Sequence, residues 1–563
     1  MTATEQSPVA PPADRPPRAG RGRRVFAALA GLLAAAVALG AAQLVAGVVR
    51  PASSPVVAVG DAVITMVPES VKSFAIATFG QNDKTALVTG TLIVVALYAC
   101  ALGVLALRSR WVGVAGVALF GLVGVVAALT RSGAGWADAL PSVVAAAVGI
   151  VALFRLLRPL GLSASAPASA DPSEPVRSGD DLPVADKEVL DRLRGVLASG
   201  DRKGPGLDRR RFLATSGIAL GAAVVTGGGG LLLQRRFDVA DARSALRLPT
   251  PASAAASAPA GADLAGQVPG LTPLITRNGD FYRVDTAISA PQIRPATYRL
   301  TLTGMFDSPR TYRLSDLFSR PDLIERDVTL SCVSNEIGGD LIGTARWIGV
   351  PLGAFLHENG VQTRSTQLVC RSSDGMTIGT PTSAALDVAD AMLAFGMNGE
   401  PLPVEHGFPV RMVVPGLYGY VSACKWLTSI EASTFEAFDA YWVDRGWAQQ
   451  APVKTGSRID TPAPVRSFPA GRRPIAGVAW APGRGISRVE VKVDDGDWQD
   501  AQLSAPVVDD IWRQWMLPYD FTPGSHLVTV RATDGQGRLQ TEQRADPIPD
   551  GATGWHSIRV LVS

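Results

Sequence analysis

Cys332 closes Asp327-Val-Thr-Leu-Ser331, a short run of β-branched and apolar residues, and the glycine-rich polar stretch 335–343 follows it. That pattern predicts a strand giving way to a loop, where a thiol can face a cavity. Deprotonated, such a thiol is a soft metal ligand or a nucleophile; protonated and enclosed, it is a small packing hydrophobe. The other cysteines, Cys100, Cys370 and Cys424, make no Cys-x-x-Cys spacing, which disfavours zinc and iron–sulfur centres. Cys100 sits in an apolar run as packing, whereas Cys370 and Cys424 are either two buried free thiols or, in an oxidising compartment, a disulfide. The four histidines, His357, His406, His526 and His556, are too dispersed for a triad or a metal-hydrolase motif. None lies in an apolar segment, so these helices cannot give a membrane haem its paired histidines, and Cys-x-x-Cys-His is absent. Electrons would have to pass through a separate carrier.

A second stretch, residues 397–430, reads MNGEPLPVEHGFPVRMVVPGLYGYVSACKWLTSI. With Cys332 and Trp347-Ile-Gly-Val-Pro-Leu352 it resembles the molybdopterin-binding domain of the sulfite oxidase family. The resemblance implies that Cys332 is the protein's sulfur ligand to molybdenum, beside the dithiolene of the pterin. A pterin carrying phosphate needs cationic donors, backbone amides from glycine turns and polar side chains. By the same resemblance Arg411 and Lys425 are cofactor-binding cations and His406 is a polar contact. Gly419 belongs to a turn, with Gly416, Tyr418 and Tyr420, whose backbone could approach the pterin. Asn278-Gly-Asp-Phe-Tyr-Arg283 resembles the family's first cofactor loop and contributes Asn278, Tyr282 and Arg283. Ser373, in Cys370-Arg-Ser-Ser-Asp374, falls near a further contact, with Ser372 beside it and a plain β-turn as the other explanation of that run. Many relatives place a basic residue where this chain has Val421, so the sequence departs from the family pattern in a way that favours a less anionic substrate than sulfite.

The elements that must carry this site extend well beyond it. At 563 residues, 47% hydrophobic, with a mean hydropathy of +0.19, the chain predicts several domains including membrane segments. A net charge of only +3, with dispersed arginines, gives no nucleic-acid surface. Residues 1–24 read as a disordered cytoplasmic tail, and 25–158 as four transmembrane helices at 25–49, 86–107, 111–129 and 137–157. Residues 55–85 read as an outside loop or interfacial helix. Arg18, Arg21, Arg23, Arg24, Arg108, Arg110, Arg155 and Arg158 all fall inside on that path. Residues 159–208 read as a cytoplasmic linker with one short amphipathic helix at 186–199. The segment 209–236 reads as a twin-arginine-like signal, Arg209 and Arg210, merged with a fifth transmembrane helix; positive-inside arginines before an ordinary span are the plainer account.

Residues 237–270 read as a tether, 271–450 as the α+β catalytic domain and 451–563 as an Ig-like β-sandwich of short strands broken by Gly, Pro and Asp turns. Gly477-Val-Ala-Trp480, Gly483-Arg-Gly-Ile-Ser-Arg-Val489 and Asp494-Asp-Gly-Asp-Trp498 extend the resemblance into this last domain, which in relatives usually pairs subunits and so implies a homodimer. The sequence therefore predicts a multi-domain protein: an all-α transmembrane region, a sulfite-oxidase-type α+β domain and a C-terminal sandwich. The expected function is that of a molybdenum and molybdopterin oxidoreductase at the cytoplasmic membrane, multi-pass, with its catalytic domain outside. It would move an oxygen atom and two electrons to or from a small substrate, with sulfur as one option, and exchange electrons with a haem- or quinone-linked carrier. An S-oxide or N-oxide reductase, and a non-catalytic membrane-tethered binding protein on the same scaffold, are the competing readings.

Overall fold

Long apolar runs without acidic residues favour unbroken helices, because every backbone polar group is then satisfied within the segment. Five such helices form: Arg21–Val49, Asp83–Ala106, Arg110–Leu129, Leu140–Leu157 and Arg209–Gln234, each long and apolar enough to cross a membrane. The computed structural model describes residues 20–67, 71, 78, 83–131, 134–160, 208–464 and 467–563. Most of the expected N-terminal tail and the short helix expected at 186–199 lie outside the described residues. The chain divides into two compact units, one comprising Met1–Val59, Val88–Leu129 and Gly135–Arg236, the other Gly60–Leu87, Thr130–Ala134 and Phe237–Ser563.

Within the first unit, Arg21–Val49 packs closely on Arg209–Gln234 through small residues: a Cβ on Gly230 would come within 2.5 Å of the Gln43 carbonyl oxygen. The last of these helices begins at the paired arginines because Asp208 caps it, its carboxylate accepting the Arg211 backbone N–H at 3.0 Å. Arg50 and the buried Asp138 form an ion pair. Pro55–Met66, read as loop or interfacial helix, is a 12-residue helix.

The second unit carries two antiparallel-rich sheets followed by two more. The first ten strands are β1 (Arg299–Gly304), β2 (Thr311–Arg313), β3 (Ile324–Ser331), β4 (Ile342–Pro351), β5 (Gln367–Ser372), β6 (Thr377–Pro381), β7 (Met392–Met397), β8 (Glu400–Pro401), β9 (Arg411–Val413) and β10 (Leu427–Ser433). One sheet runs β2-β1-β10-β5-β6, with β1 parallel to β10; the other runs β3-β4-β7-β8, with β9 on β7. Between them Leu300, Val350, Phe355, Leu368, Leu393, Phe395 and Ile430 form the main core. Trp347, Val328, Leu330, Met392 and Val413 build a second core with Phe281. Strand β4 is buried along nearly its whole length, as its apolar sequence requires of a strand covered on both faces.

Nine further strands follow: β11 (Gly456–Thr461), β12 (Ser467–Phe468), β13 (Gly471–Trp480), β14 (Ile486–Val493), β15 (Gln499–Asp500), β16 (Gln502–Leu503), β17 (Arg513–Phe521), β18 (Gly524–Asp534) and β19 (His556–Val562). They make sheets β11-β13-β17-β16 and β12-β19-β18-β14-β15 over one core that includes Ile475, Val489, Trp515, Val530 and Val560. Residues 237–270 differ from the expected free tether. Ser253 bridges to Ile324, Ala252 N–H donates to Leu323 O at 2.8 Å, and Leu264 and Val268 are buried against Ala476. The isolated leucines and valines of this stretch fix it to the fold even though its Ala/Ser/Pro composition resembles a linker.

Candidate functional site

Strand β3 ends at Ser331, and Cys332 opens the loop that returns to β4. Its N–H donates to Leu341 O at 2.9 Å and its carbonyl accepts from Asn335 N–H at 3.1 Å. Asn335 Oδ1 accepts the Leu341 N–H at 2.9 Å, so both ends of the loop are tied. The Cys332 Sγ lies 2.8 Å from Ser334 Oγ and faces a cavity of about 680 Å³. That volume suits a cofactor-sized ligand. Burial pushes the thiol above its usual range, against the opposing pull of Ser334, nearby backbone N–H groups and Lys425.

The cavity is walled on one side by residues that the aromatic loop 278–283 and the stretch after β8 bring together. Tyr282, His406, Arg411, Gly419 and Lys425 all line it with Cys332. Phe281 stacks on Tyr282, with ring centroids 5.1 Å apart, and meets His406 and Trp347 edge-on. His406 Nε2 is 3.1 Å from Asn278 O. Burial first and the Arg411 charge second hold the ring down to about 4, so His406 is neutral near pH 7. Burial, reinforced by Cys332, raises the Tyr282 phenol well above its usual range.

Arg411, the first residue of β9, is 5% exposed. Its Nη1 and Nη2 donate to His406 O at 3.1 Å and Ala423 O at 3.3 Å, while Nε has no partner and the guanidinium lies over Trp347 at 5.0 Å. No carboxylate pairs with it among the described residues, and burial lowers it to about 10. Lys425 Nζ donates to Asp285 Oδ2 at 2.7 Å and to Glu405 O at 3.3 Å; burial pulls it down to about 8 against Asp285. Trp426, beside it, holds φ at 50°, a strained conformation for an L-residue, fixed by its ring N–H donating to Val404 O at 2.8 Å.

Three expected residues stand elsewhere. Asn278 is turned to Glu400 Oε1 at 2.6 Å and to Asn398, and only its carbonyl reaches the His406 ring. Arg283 pairs with Asp285 at 2.9 Å from outside the cavity lining. Ser373 is exposed, its N–H on Trp426 O, and the buried Ser372, the last residue of β5, lines the cavity in its place. Val421, where the sequence pattern led to the expectation of a missing basic residue, is 2% exposed, lies outside the lining and accepts the Thr380 hydroxyl at its carbonyl. Cys370 and Cys424 are buried free thiols.

Sequence reasoning missed the other wall: Tyr420 as a side chain, Trp442, Trp447, Asp546, Pro547 and Ile548, together with Glu336 and Asp340. Tyr420 and Trp442 both pack on Trp447, at 5.8 and 6.3 Å. Glu336, Asp340 and Asp546 are exposed carboxylates on this rim. The density of tryptophan in 442–447 was the available signal. Asp285, the partner of Lys425, gave none.

Comparison with known proteins bears on what this cavity holds. Residues 287–442 match the model of the oxidoreductase molybdopterin binding domain. The sulfite oxidase of Arabidopsis thaliana is 31% identical over 306 residues, which cover 44% of this chain and 77% of that protein. The chain belongs to the sulfite oxidase family. Human mitochondrial sulfite oxidase is 31% identical over 344 residues, 51% of this chain, and the chain spans 62% of that protein's length. The sulfane dehydrogenase SoxCD from Paracoccus pantotrophus gives a TM-score of 0.46 at 24% identity, over 51% of this chain and 82% of that one.

The matched domain is a molybdopterin binding domain, so the group this cavity would hold is molybdopterin with molybdenum. The residues present fit that group. A buried guanidinium with an unpartnered Nε and no acidic partner suits an anionic ligand, and a thiol among the lining residues suits a soft metal.

Proposed function

We propose that the chain is a membrane-anchored molybdenum oxidoreductase whose cavity exchanges an oxygen atom with a small, uncharged molecule, an S-oxide, an N-oxide or the corresponding reduced compound, outside the cytoplasmic membrane. The observation that carries this reading is the convergence of the Cys332 thiol, the unpaired buried Arg411 and Lys425 on one cavity. Cys332 would hold the metal; Arg411, Lys425 and the Gly419 turn would hold the pterin, with Tyr282 and His406 along its edge. The bound group supplies two-electron redox chemistry coupled to oxygen-atom exchange. The neutral His406 holds the Asn278 loop in place and adds no charge, so it tunes orientation rather than potential.

Substrate selection falls to the rim. Tyr420, Trp442 and Trp447 exclude water and offer apolar faces, and Glu336, Asp340 and Asp546 repel oxyanions. This arrangement favours an S-oxide, an N-oxide or the corresponding reduced compound over sulfite. Electrons are exchanged with a separate haem- or quinone-linked carrier. The five apolar helices anchor the chain, with Arg108, Arg110, Arg155 and Arg158 on the cytoplasmic side and the unit that carries the cavity outside; residues 451–563 form an Ig-like domain that pairs two subunits.

The test is molybdenum content and turnover of the full chain purified from a host that makes molybdopterin. Near-stoichiometric metal that is lost in Cys332→Ser, with methionine sulfoxide turned over faster than sulfite, is the expected result. A folded chain without molybdenum would leave a binding protein on this scaffold; faster turnover of sulfite would overturn the substrate reading alone.

A further inference from the structure

The loop that follows Cys332 is held from the C-terminal sheets. Arg458, in β11, is 9% exposed, and each nitrogen of its guanidinium has a partner. Nε donates to Asp460 Oδ1 at 2.7 Å, Nη2 to Thr272 Oγ1 at 2.8 Å and Nη1 to Gly339 O at 2.9 Å. Asp460 balances the charge of Arg458, and its other oxygen accepts the Thr272 N–H at 3.0 Å. Beside Gly339, Gly338 holds φ at 77° and lies so close to His556 that a Cβ there would collide with the ring. That ring is itself fixed: its Nδ1 accepts the Ile459 N–H at 3.0 Å, just before β11 shifts register against β13.

A grip on one carbonyl would matter little in a slack loop, but this loop is tied. The Cys332 N–H and the Asn335 side chain both close on Leu341, and the Gly339 N–H donates to Glu336 O at 2.9 Å. A displacement at Gly339 therefore passes to Cys332 through short hydrogen-bonded steps. Glu336, Gly339, Asp340 and Leu341 line the cavity with Cys332, so one loop carries the thiol and two acids of the rim. We propose that Arg458 is a positioning residue for the metal site: by holding Gly339 O it fixes where the loop presents the Cys332 sulfur. Arg458 lies beyond residues 287–442, which match the molybdopterin domain, so the C-terminal sheets would help to build the site. This inference rests on the reading of Cys332 as the metal ligand given above.

The experiment uses the full chain in detergent. Cofactor-free chain is treated with iodoacetamide, and labelling of Cys332 is followed by peptide mass spectrometry, with the buried Cys370 and Cys424 as references for global opening. Chain loaded in a host that makes molybdopterin gives the metal content and the thiolate-to-metal absorption band, which Cys332→Ser should abolish. Arg458→Lys keeps a charge beside Asp460 but loses the fork that also reaches Gly339 O. It should label Cys332 about tenfold faster, the scale of one lost hydrogen bond from a charged donor, and shift the band, with Cys370 and Cys424 unchanged. Arg458→Met combined with Asp460→Asn leaves no unpaired charge and should do the same. Thr272→Val removes a different partner of Arg458, keeps the Gly339 contact and should stay within about twofold of wild type. Wild-type labelling or an unmoved band in both Arg458 variants would overturn the proposal. So would equal acceleration at Cys332, Cys370 and Cys424, or in Thr272→Val, which would mark a general loosening of the fold. Loaded wild-type chain without molybdenum would instead sink the ligand reading and this inference with it.

Discussion

Arg411→Met separates a cofactor-binding arginine from a structural one, because the two roles predict opposite balances. Burial holds the guanidinium down to about 10, and no carboxylate compensates it. At about 1.4 kcal/mol per tenfold in proton affinity, keeping that charge in the fold costs about 3 kcal/mol, which the substitution would recover. Against this, Met abandons the carbonyls of His406 and Ala423, roughly 1–3 kcal/mol for two buried acceptors. The contact with Trp347 survives in part, since a thioether also packs well on an aromatic ring. The difference leaves the cofactor-free variant between wild-type stability and about 2 kcal/mol above it, at most about 4–8 °C in midpoint for a domain of this size. Loss of charge-assisted contacts to an anionic pterin should meanwhile cost about 1.5–3 kcal/mol, roughly tenfold to a hundredfold in occupancy. The assay is thermal unfolding of chain made in a molybdopterin-deficient host, alongside pterin and molybdenum content of chain made in a competent one. A cofactor-free variant destabilised by about 3 kcal/mol or more that still retains its pterin when loaded would make Arg411 a purely structural cation.

Four further outcomes follow from the same geometry. Lys425 is charged below about 8 and loses its proton as pH rises through that value, so cofactor-free chain should bind inorganic pyrophosphate below pH 8 and release it above, a limb absent in Lys425→Met. Because the unfolded chain keeps that proton up to about 10.5, the cofactor-free fold gains stability between the two values, opposite to the binding trend, and unfolding midpoints across that window check it. Glu336→Gln and Asp546→Asn should each raise kcat/KM for sulfite about two- to threefold at low salt, with the gain fading at high salt and no change for methionine sulfoxide; equal gains for both substrates would remove repulsion as the cause. Cys332→Ser should leave the unfolding midpoint of cofactor-free chain within about 2 °C of wild type, since among the described residues the thiol's side-chain partner is Ser334 at 2.8 Å; a larger drop would make the thiol a packing residue.

The parts of this molecule that its sequence made legible are those with local causes. Apolar runs free of acidic residues gave the helices within a few residues of their ends, and the Asp208 cap explains why the last begins at Arg209. β-branched runs such as Asp327–Ser331 and Ser487–Val493 fall inside strands, β3 and β14, because pleated, half-buried positions favour them. Cys332, His406, Arg411, Gly419 and Lys425 meet at one cavity because each lies where a strand or short turn ends against it. What remained hidden depends on facing and on distance. Ser372 and Ser373 are chemically identical neighbours, and the end of β5 at Ser372 separates the buried lining residue from the exposed one. Asn278 sits in the matching motif but spends its amide on Glu400 and Asn398, residues more than a hundred positions away.

Asp285 shows why composition could not reveal the electrostatics of the site. In the sequence it is one of many acids beside an arginine; in the fold it joins Lys425 from 140 positions downstream and Lys84 from 201 upstream. The surroundings of Lys425 are therefore set by residues far from it in the chain. The same holds for the acidic, aromatic rim. It combines 336–340, 442–447 and 546–548, three segments whose meeting depends on how the C-terminal sheets pack on the domain before them through Tyr418, Trp447, Trp480 and Trp512. On the proposed reading of the rim, a substitution in the Trp480 or Trp512 contact, remote from Cys332, should alter the ratio of sulfite to methionine sulfoxide turnover more than it alters metal content.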